Sequence, residues 1–138
     1  MIASNQRALC YLPAHTDPRE LSLLRKVFAR SRLRFREVSE KELSLPIGKL
    51  AGYSDCREQE AEKSSSPLPE PVLVLCGLPS AKISELLEKM REAGASPIAC
   101  KAALTDTNRH WSFYRLYEEL CREREAMANS AAVRHKRA

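Results

Sequence analysis

Short, densely apolar runs alternate along this chain with longer stretches in which apolar residues recur every three or four positions. The first run, RALCYLP, has the length of a strand and stops at Pro13, which cannot donate to a ladder. Beyond it, Asp17 can cap a helix, Pro18 suits its first position, and Glu20 stands three residues after the cap as a capping box requires. Leu21, Leu24 and Phe28 then share one face, which predicts a helix to about Ser31. The next stretch, LRFREVS, alternates, with Leu33 and Phe35 on one side and Arg34 and Arg36 on the other. That is a strand buried on one face only, half-open or at an edge.

The segment EKELSLPIGKLAG places Leu43, Ile47 and Leu50 at helical spacing but is interrupted by Pro46 and Gly48, so it predicts a short or broken helix. Residues 53–71 are acidic, then serine-rich, then proline-rich, with almost nothing to bury, and are expected to form a flexible loop. The second half opens on VLVLCGLP, the most apolar run and the best central strand. Ser80 can cap the helix that follows, Ile83, Leu86, Leu87 and Met90 form its stripe, and Gly94 provides a left-handed stop. SPIACKAAL is a last strand, TDTNRH a loop, and WSFYRLYEELCREREAM a final helix with Phe113, Leu116, Tyr117 and Leu120 on one face. The basic tail, residues 128–138, is expected to fray.

The two halves echo each other: LCYLP at Leu9 to Pro13 answers LCGLP at Leu75 to Pro79, each followed by a helix and another strand. A strand, helix, strand unit used twice in a single domain of residues 1–138 gives the order βαββαβ. The expected class is α/β, an α+β sandwich of ferredoxin-like βαββαβ order with an extra C-terminal helix and a long loop between the second and third strands. The alternative takes Glu40 to Gly52 as a true crossover helix, which gives a three-layer α/β fold with a mainly parallel four-stranded sheet.

Composition agrees with one globular domain: 138 residues, 43% hydrophobic and 30% charged, with four glycines. No apolar stretch approaches the roughly 18 residues that cross a bilayer, and MIASNQRALCYLP has neither a basic leader nor a long apolar segment. The expectation is a cytoplasmic protein without a membrane role. Five cysteines make an odd number with no C-x-x-C pair, which argues against a disulfide framework or a zinc knuckle. No G-x-x-x-x-G-K-[ST] or G-x-G-x-x-G string offers a phosphate cradle, so neither a metal nor a cofactor is expected.

Charge changes the picture more. The net charge is +5, and six basic residues with no acid lie between Arg25 and Arg36. These segments attract polyanions or acidic partners, and Arg32, Arg34 and Arg36 are candidates for phosphate contact. Sequence-specific binding of single-stranded RNA needs aromatics on the central strands, where only Tyr11 qualifies. The other candidate is the connection KAALTDTNRHW. Thr105, Asp106, Thr107 and Asn108 have short polar side chains that fold tight turns by bonding nearby backbone. Trp111 falls at N′ and Leu116 at N4 if Ser112 caps the last helix, the spacing of a hydrophobic staple. The functional reading of the same residues is a small anion or nucleotide site built from Lys101, Thr105, Thr107, Asn108 and Arg109.

The string Lys101, Ala102, Leu104, Thr105, Thr107, Asn108 and Trp111, behind an apolar strand ending in Cys-Gly and an amphipathic helix, resembles an uncharacterised bacterial family, domain of unknown function 3783. The resemblance is strongest over residues 71–120; Asp106 stands where that pattern has proline. It implies a domain and no mechanism.

Three functions compete. The first is a small regulatory or interaction domain that binds a small anionic ligand or a protein partner, as a monomer or a homo-oligomer. The second is an accessory nucleic-acid binder. The third is an enzyme using Lys101, Asp106 or His110 as acid or base, for which no local signature exists. His15 and His110 both lie in loops between a strand and a helix, and they could cooperate only if those loops share one end of the sheet.

Overall fold

In the computed structural model, which describes residues 6–53 and 66–137, the four apolar runs become β1 (Arg7–Tyr11), β2 (Arg34–Glu37), β3 (Val72–Cys76) and β4 (Cys100–Ala103). Between them lie helices α1 (Pro18–Arg30), α2 (Ile47–Leu50) and α3 (Ser80–Glu92), and α4 (Phe113–Arg137) closes the chain. Single 3-10 turns stand at Glu40–Glu42 and Asn108–His110. The strands form one sheet in the order β2-β1-β3-β4. β1 pairs parallel with β2, β3 parallel with β4, and the two central strands pair antiparallel, Arg7 opposite Cys76 and Tyr11 opposite Val72.

The strand, helix, strand unit is therefore used twice, but not in the ferredoxin-like arrangement. In a split βαβ each crossover skips a strand, whereas here each crossover returns to the strand beside its own start. Two complete βαβ units meet back to back through β1 and β3, related by an approximate two-fold axis normal to the sheet. The three-layer alternative with a mainly parallel four-stranded sheet holds in part: the ladders β1/β2 and β3/β4 are parallel and both faces are covered, but α2 has four residues and is no crossover helix, and the central ladder is antiparallel.

Strand alternation assigns each side chain to one of two cores. Ala8, Cys10, Leu73 and Leu75 face a layer built by Leu24, Val27 and Phe28 of α1 and Leu86 and Met90 of α3. Leu9, Tyr11, Val72, Val74 and Cys76 face the other side, where Leu43, Ile47, Leu50, Phe113 and Leu116 cover them. The sheet is thus covered on both faces, which is why VLVLC reads as an unbroken apolar run and is buried at every position. β2 is an edge strand, with only Phe35 drawn inward, stacked on Phe28 at 5.1 Å between ring centroids.

The helix ends show where local signals held. Asp17 accepts a hydrogen bond from the Arg19 N–H at 2.9 Å, and Pro18 opens α1. Glu20 does not complete a capping box; its carboxylate takes the N–H and hydroxyl of Ser96, in the turn after α3. Ser80 is the first residue of α3, and Pro79 occupies the cap without a side-chain bond. Gly94 at φ 86° ends α3 as expected. The corresponding position after α1 is held by Arg32 at φ 59°, with Leu33 N–H bonded to the Phe28 carbonyl and Arg32 N–H to that of Ala29. This is a Schellman ending in which arginine stands where glycine is usual.

Of the expected flexible loop 53–71, residues 54–65 lie outside the described residues, while 66–71 are anchored: Leu68 is buried, and the Tyr11 hydroxyl donates to its carbonyl at 3.2 Å. Helix α4 runs on to Arg137, through the tail expected to fray.

Phe28 is fully buried and holds the edge strand through Phe35. Phe28→Ala should therefore lower the unfolding free energy by about 3–5 kcal/mol, read as a lower urea midpoint at unchanged slope.

Candidate functional site

Asn108 organises the connection between β4 and α4. Its Oδ1 accepts from the Thr105 N–H at 2.8 Å, its Nδ2 donates to the Ala103 carbonyl at 2.9 Å, and its backbone N–H donates to the Thr105 hydroxyl at 3.0 Å. Asn108 is only 8% exposed, so these bonds satisfy groups that water reaches poorly. The Arg109 N–H bonds the Thr105 carbonyl and the Trp111 N–H bonds the Asn108 carbonyl, which winds the 3-10 turn. Ser112 then caps α4, its hydroxyl accepting from the Arg115 N–H at 3.2 Å. Two backbone bonds clamp the connection to the segment around α2: Ile47 N–H to the Trp111 carbonyl at 2.8 Å, and Phe113 N–H to the Leu43 carbonyl at 3.0 Å. The Trp111 ring packs half-buried against the core with the Arg115 guanidinium 4.8 Å above it.

Of the residues proposed from sequence for an anion site, Thr105 and Asn108 are brought together, and each spends its side chain on the other's backbone. Lys101 turns away along β4, its Nζ donating to the Ile98 carbonyl at 2.7 Å. The Arg109 guanidinium lies 5.7 Å from the centre of the Tyr53 ring. Thr107 is exposed and its side chain does not cap the turn it precedes.

The three arginines of the basic stretch also separate. Phe35 points to the α1/α3 side, so alternation sends Arg34 and Arg36 to the other. Arg36 there donates to the Leu50 carbonyl at 3.0 Å and pairs with Glu42. Arg32 stays with the α1/α3 layer. His15 and His110 are exposed, and because β1 runs antiparallel to β3 and β4 their loops leave opposite ends of the sheet.

Two polar assemblies were not legible in the sequence. The first is a shallow groove of about 190 Å³ where the end of α1 meets α3, lined by Arg30, Arg32, Lys82, Lys89 and Glu85. Glu85 is neutralised by Lys89 at 3.1 Å, and Lys82 reaches back to the Gln6 side chain at 2.8 Å. Arg30 and Arg32 have no ion-pair partner among the described residues. The signal that could have found it is Lys82, a cation in the first turn of a helix that has no acid there, against the preference set by the helix dipole.

The second assembly centres on Glu70. Its carboxylate receives two hydrogen bonds from Arg124, at 3.2 and 3.0 Å, one from the Tyr117 hydroxyl at 2.8 Å and one from the Cys100 thiol at 3.4 Å. The Arg124 bonds, which outweigh partial burial, hold the Glu70 carboxyl below the usual range, with Tyr117 and Cys100 adding to the effect. Burial first, and then the bond to Glu70, push the Cys100 thiol up to about 11. Tyr114 adds a bond from its hydroxyl to the Ser66 carbonyl at 2.7 Å. Residues 66–70 are thereby stitched onto α4.

Among the described residues no group of three or more His, Cys, Asp or Glu side chains could hold a metal ion, and no helix is long and apolar enough to cross a membrane.

Fold and site together define a two-unit βαβ domain with a covered mixed sheet and no assembled catalytic constellation among the described residues. Residues 71–127 match the family model described as Domain of unknown function (DUF3783). The match takes in β3, α3, β4, the Asn108 connection and the first half of α4. Comparison with curated proteins and with solved structures gave no match.

Asn108→Ala removes two side-chain bonds at a poorly solvated site, leaving its backbone N–H on the Thr105 hydroxyl, and should cost about 2–3 kcal/mol of stability, while Thr107→Ala should stay within about 0.5 kcal/mol in the same urea titration. Glu70 has its folded pKa below its unfolded value, so its contribution is complete above the unfolded pKa and is lost as pH falls through the folded one. Thermal stability should fall on acidification below about pH 4, and Glu70→Gln should flatten that fall while lowering stability at neutral pH.

Proposed function

We propose that the chain is a small regulatory or interaction domain that binds an anionic group, of phosphate or carboxylate class, in the groove between α1 and α3. The observation that carries this reading is Arg32. A left-handed φ costs a side-chain-bearing residue about 1–2 kcal/mol, a cost that glycine at this position would avoid. The strain accompanies a guanidinium set beside Arg30, Lys82 and Lys89, with the one carboxylate of the groove already paired. Strain kept where a simpler residue would remove it points to function. The groove is smaller than the roughly 300 Å³ at which drug-sized pockets begin, which favours a single anionic headgroup over a whole metabolite.

The same ligand class at Lys101, Thr105, Thr107, Asn108 and Arg109 has less support, because Thr105 and Asn108 already bond each other's backbone and Lys101 bonds Ile98. A nucleic-acid path along Arg32, Arg34 and Arg36 has less support because Arg36 is paired and lies across the sheet from Arg32. The enzyme reading rests on Lys101, Asp106 and His110, all exposed.

Inorganic tripolyphosphate titrated at low salt, followed by calorimetry and thermal shift, tests the proposal. Arg32→Gly should leave the fold equally or more stable, by up to about 1 kcal/mol, while weakening binding about tenfold. Binding that is absent in the wild type, or unchanged in Arg32→Gly, would overturn it.

A further inference from the structure

We propose that Cys100 and Cys121 form a reversible disulfide, which makes the junction of β4 and α4 an oxidation-responsive site. One nitrogen of Arg124, Nη2, lies 3.6 Å from the Cys100 sulfur and 3.5 Å from the Cys121 sulfur. The two thiols thus flank a single guanidinium that is itself half-exposed and can swing aside. Glu70 and Tyr117 complete the surroundings: the Cys100 thiol and the Tyr117 hydroxyl both donate to the Glu70 carboxylate, and the same hydroxyl is set against Cys121.

The other described cysteines have no such arrangement. Cys10 and Cys76 are fully buried and face opposite cores, so the sheet stands between them. Among the described cysteines only Cys121 is not buried, and it is therefore the sulfur a small oxidant meets first. Cys100, 1% exposed, lies behind it with its thiol hydrogen-bonded to Glu70 at 3.4 Å.

With a hydroperoxide as oxidant the steps balance. The Cys121 sulfur attacks the terminal peroxide oxygen, the S–O bond forms as the O–O bond breaks, and the thiol proton leaves with the departing oxygen as water or alcohol. Cys121 is now a sulfenic acid, oxidised by two electrons that the peroxide has taken up. The Cys100 sulfur then attacks the Cys121 sulfur, and the S–S bond forms as the S–O bond breaks. Hydroxide departs and takes, as water, the proton that Cys100 sheds on its Glu70 side. Burial and the Glu70 bond keep Cys100 protonated until that moment, which suits a resolving thiol and not an attacking one.

The product fastens α4 to β4 and removes the thiol partners of Arg124. Because Arg124 also holds Glu70, and Glu70 anchors residues 66–70, oxidation at this pair reaches the end of the acidic loop.

The test uses the full chain in native buffer, treated with equimolar hydrogen peroxide, blocked by alkylation and mapped by mass spectrometry without reduction. The expected product is one linked peptide pair containing Cys100 and Cys121, lighter by two hydrogens, reversed by dithiothreitol and raising the thermal midpoint of the oxidised chain. Cys121→Ser should abolish the linkage and leave Cys100 unmodified at the same dose. Cys100→Ala should leave Cys121 as a sulfenic acid that dimedone traps. The proposal is overturned if Cys100 stays fully alkylatable in the folded protein while Cys121 is oxidised alone, if Cys121 pairs between chains instead, or if the linkage forms only in urea.

Discussion

The antiparallel ladder between β1 and β3 is the constraint from which the rest follows. All of β3 and all of β1 beyond Arg7 are buried. A ladder with apolar side chains on both faces needs two covers, and the two crossover helices supply only one, because α1 and α3 lie on the same side. The other cover must come from chain outside the βαβ units. It comes from the segment around α2 and from the first turns of α4, which contribute Leu43, Ile47, Leu50, Phe113 and Leu116. The C-terminal helix is thus half of a core and not an appendage. The backbone bonds from Ile47 to Trp111 and from Phe113 to Leu43 exist because two irregular segments share one face and must satisfy each other's polar groups.

The same ladder decides where chemistry can gather. Parallel α/β sheets collect their strand-to-helix loops at one end, where ligands usually sit. Here β1 and β3 run in opposite directions, so the loop after β1 and the loops after β3 and β4 leave opposite ends, and His15 cannot meet His110. Polar groups gather instead at the flanks: the cationic groove on the helix layer, and the Glu70 assembly where α4 crosses the β4 edge. Both join residues from several elements, so each depends on the packing being complete.

Asn108 shows how a fairly specific string can be explained by architecture. Its amide bonds two backbone groups, and its own N–H returns to Thr105. A residue lacking both a donor and an acceptor at that distance leaves the part-buried Thr105 N–H and Ala103 carbonyl without these partners. The turn also delivers Ser112 to the cap of α4 and Trp111 to the core, so one buried asparagine sets the entry angle of the second cover.

Periodicity, caps and turn residues were enough to locate every strand, the main helices, the doubling of the strand, helix, strand unit and the edge character of β2, since each depends on residues within a few positions of one another. Asp17, Gly94 and Ser112 act through neighbours two or three residues away, and their roles could be read from the chain alone. The order β2-β1-β3-β4 could not be, because a ferredoxin-like sheet and this one share the same element sequence and the same alternation. They differ only in which distant strands pair. Arg36 with Glu42 and Leu50, Glu20 with Ser96, and Glu70 with Tyr117 and Arg124 belong to that second kind of fact. Their side chains carry no local pattern, and only the folded path of the chain brings them within hydrogen-bond reach.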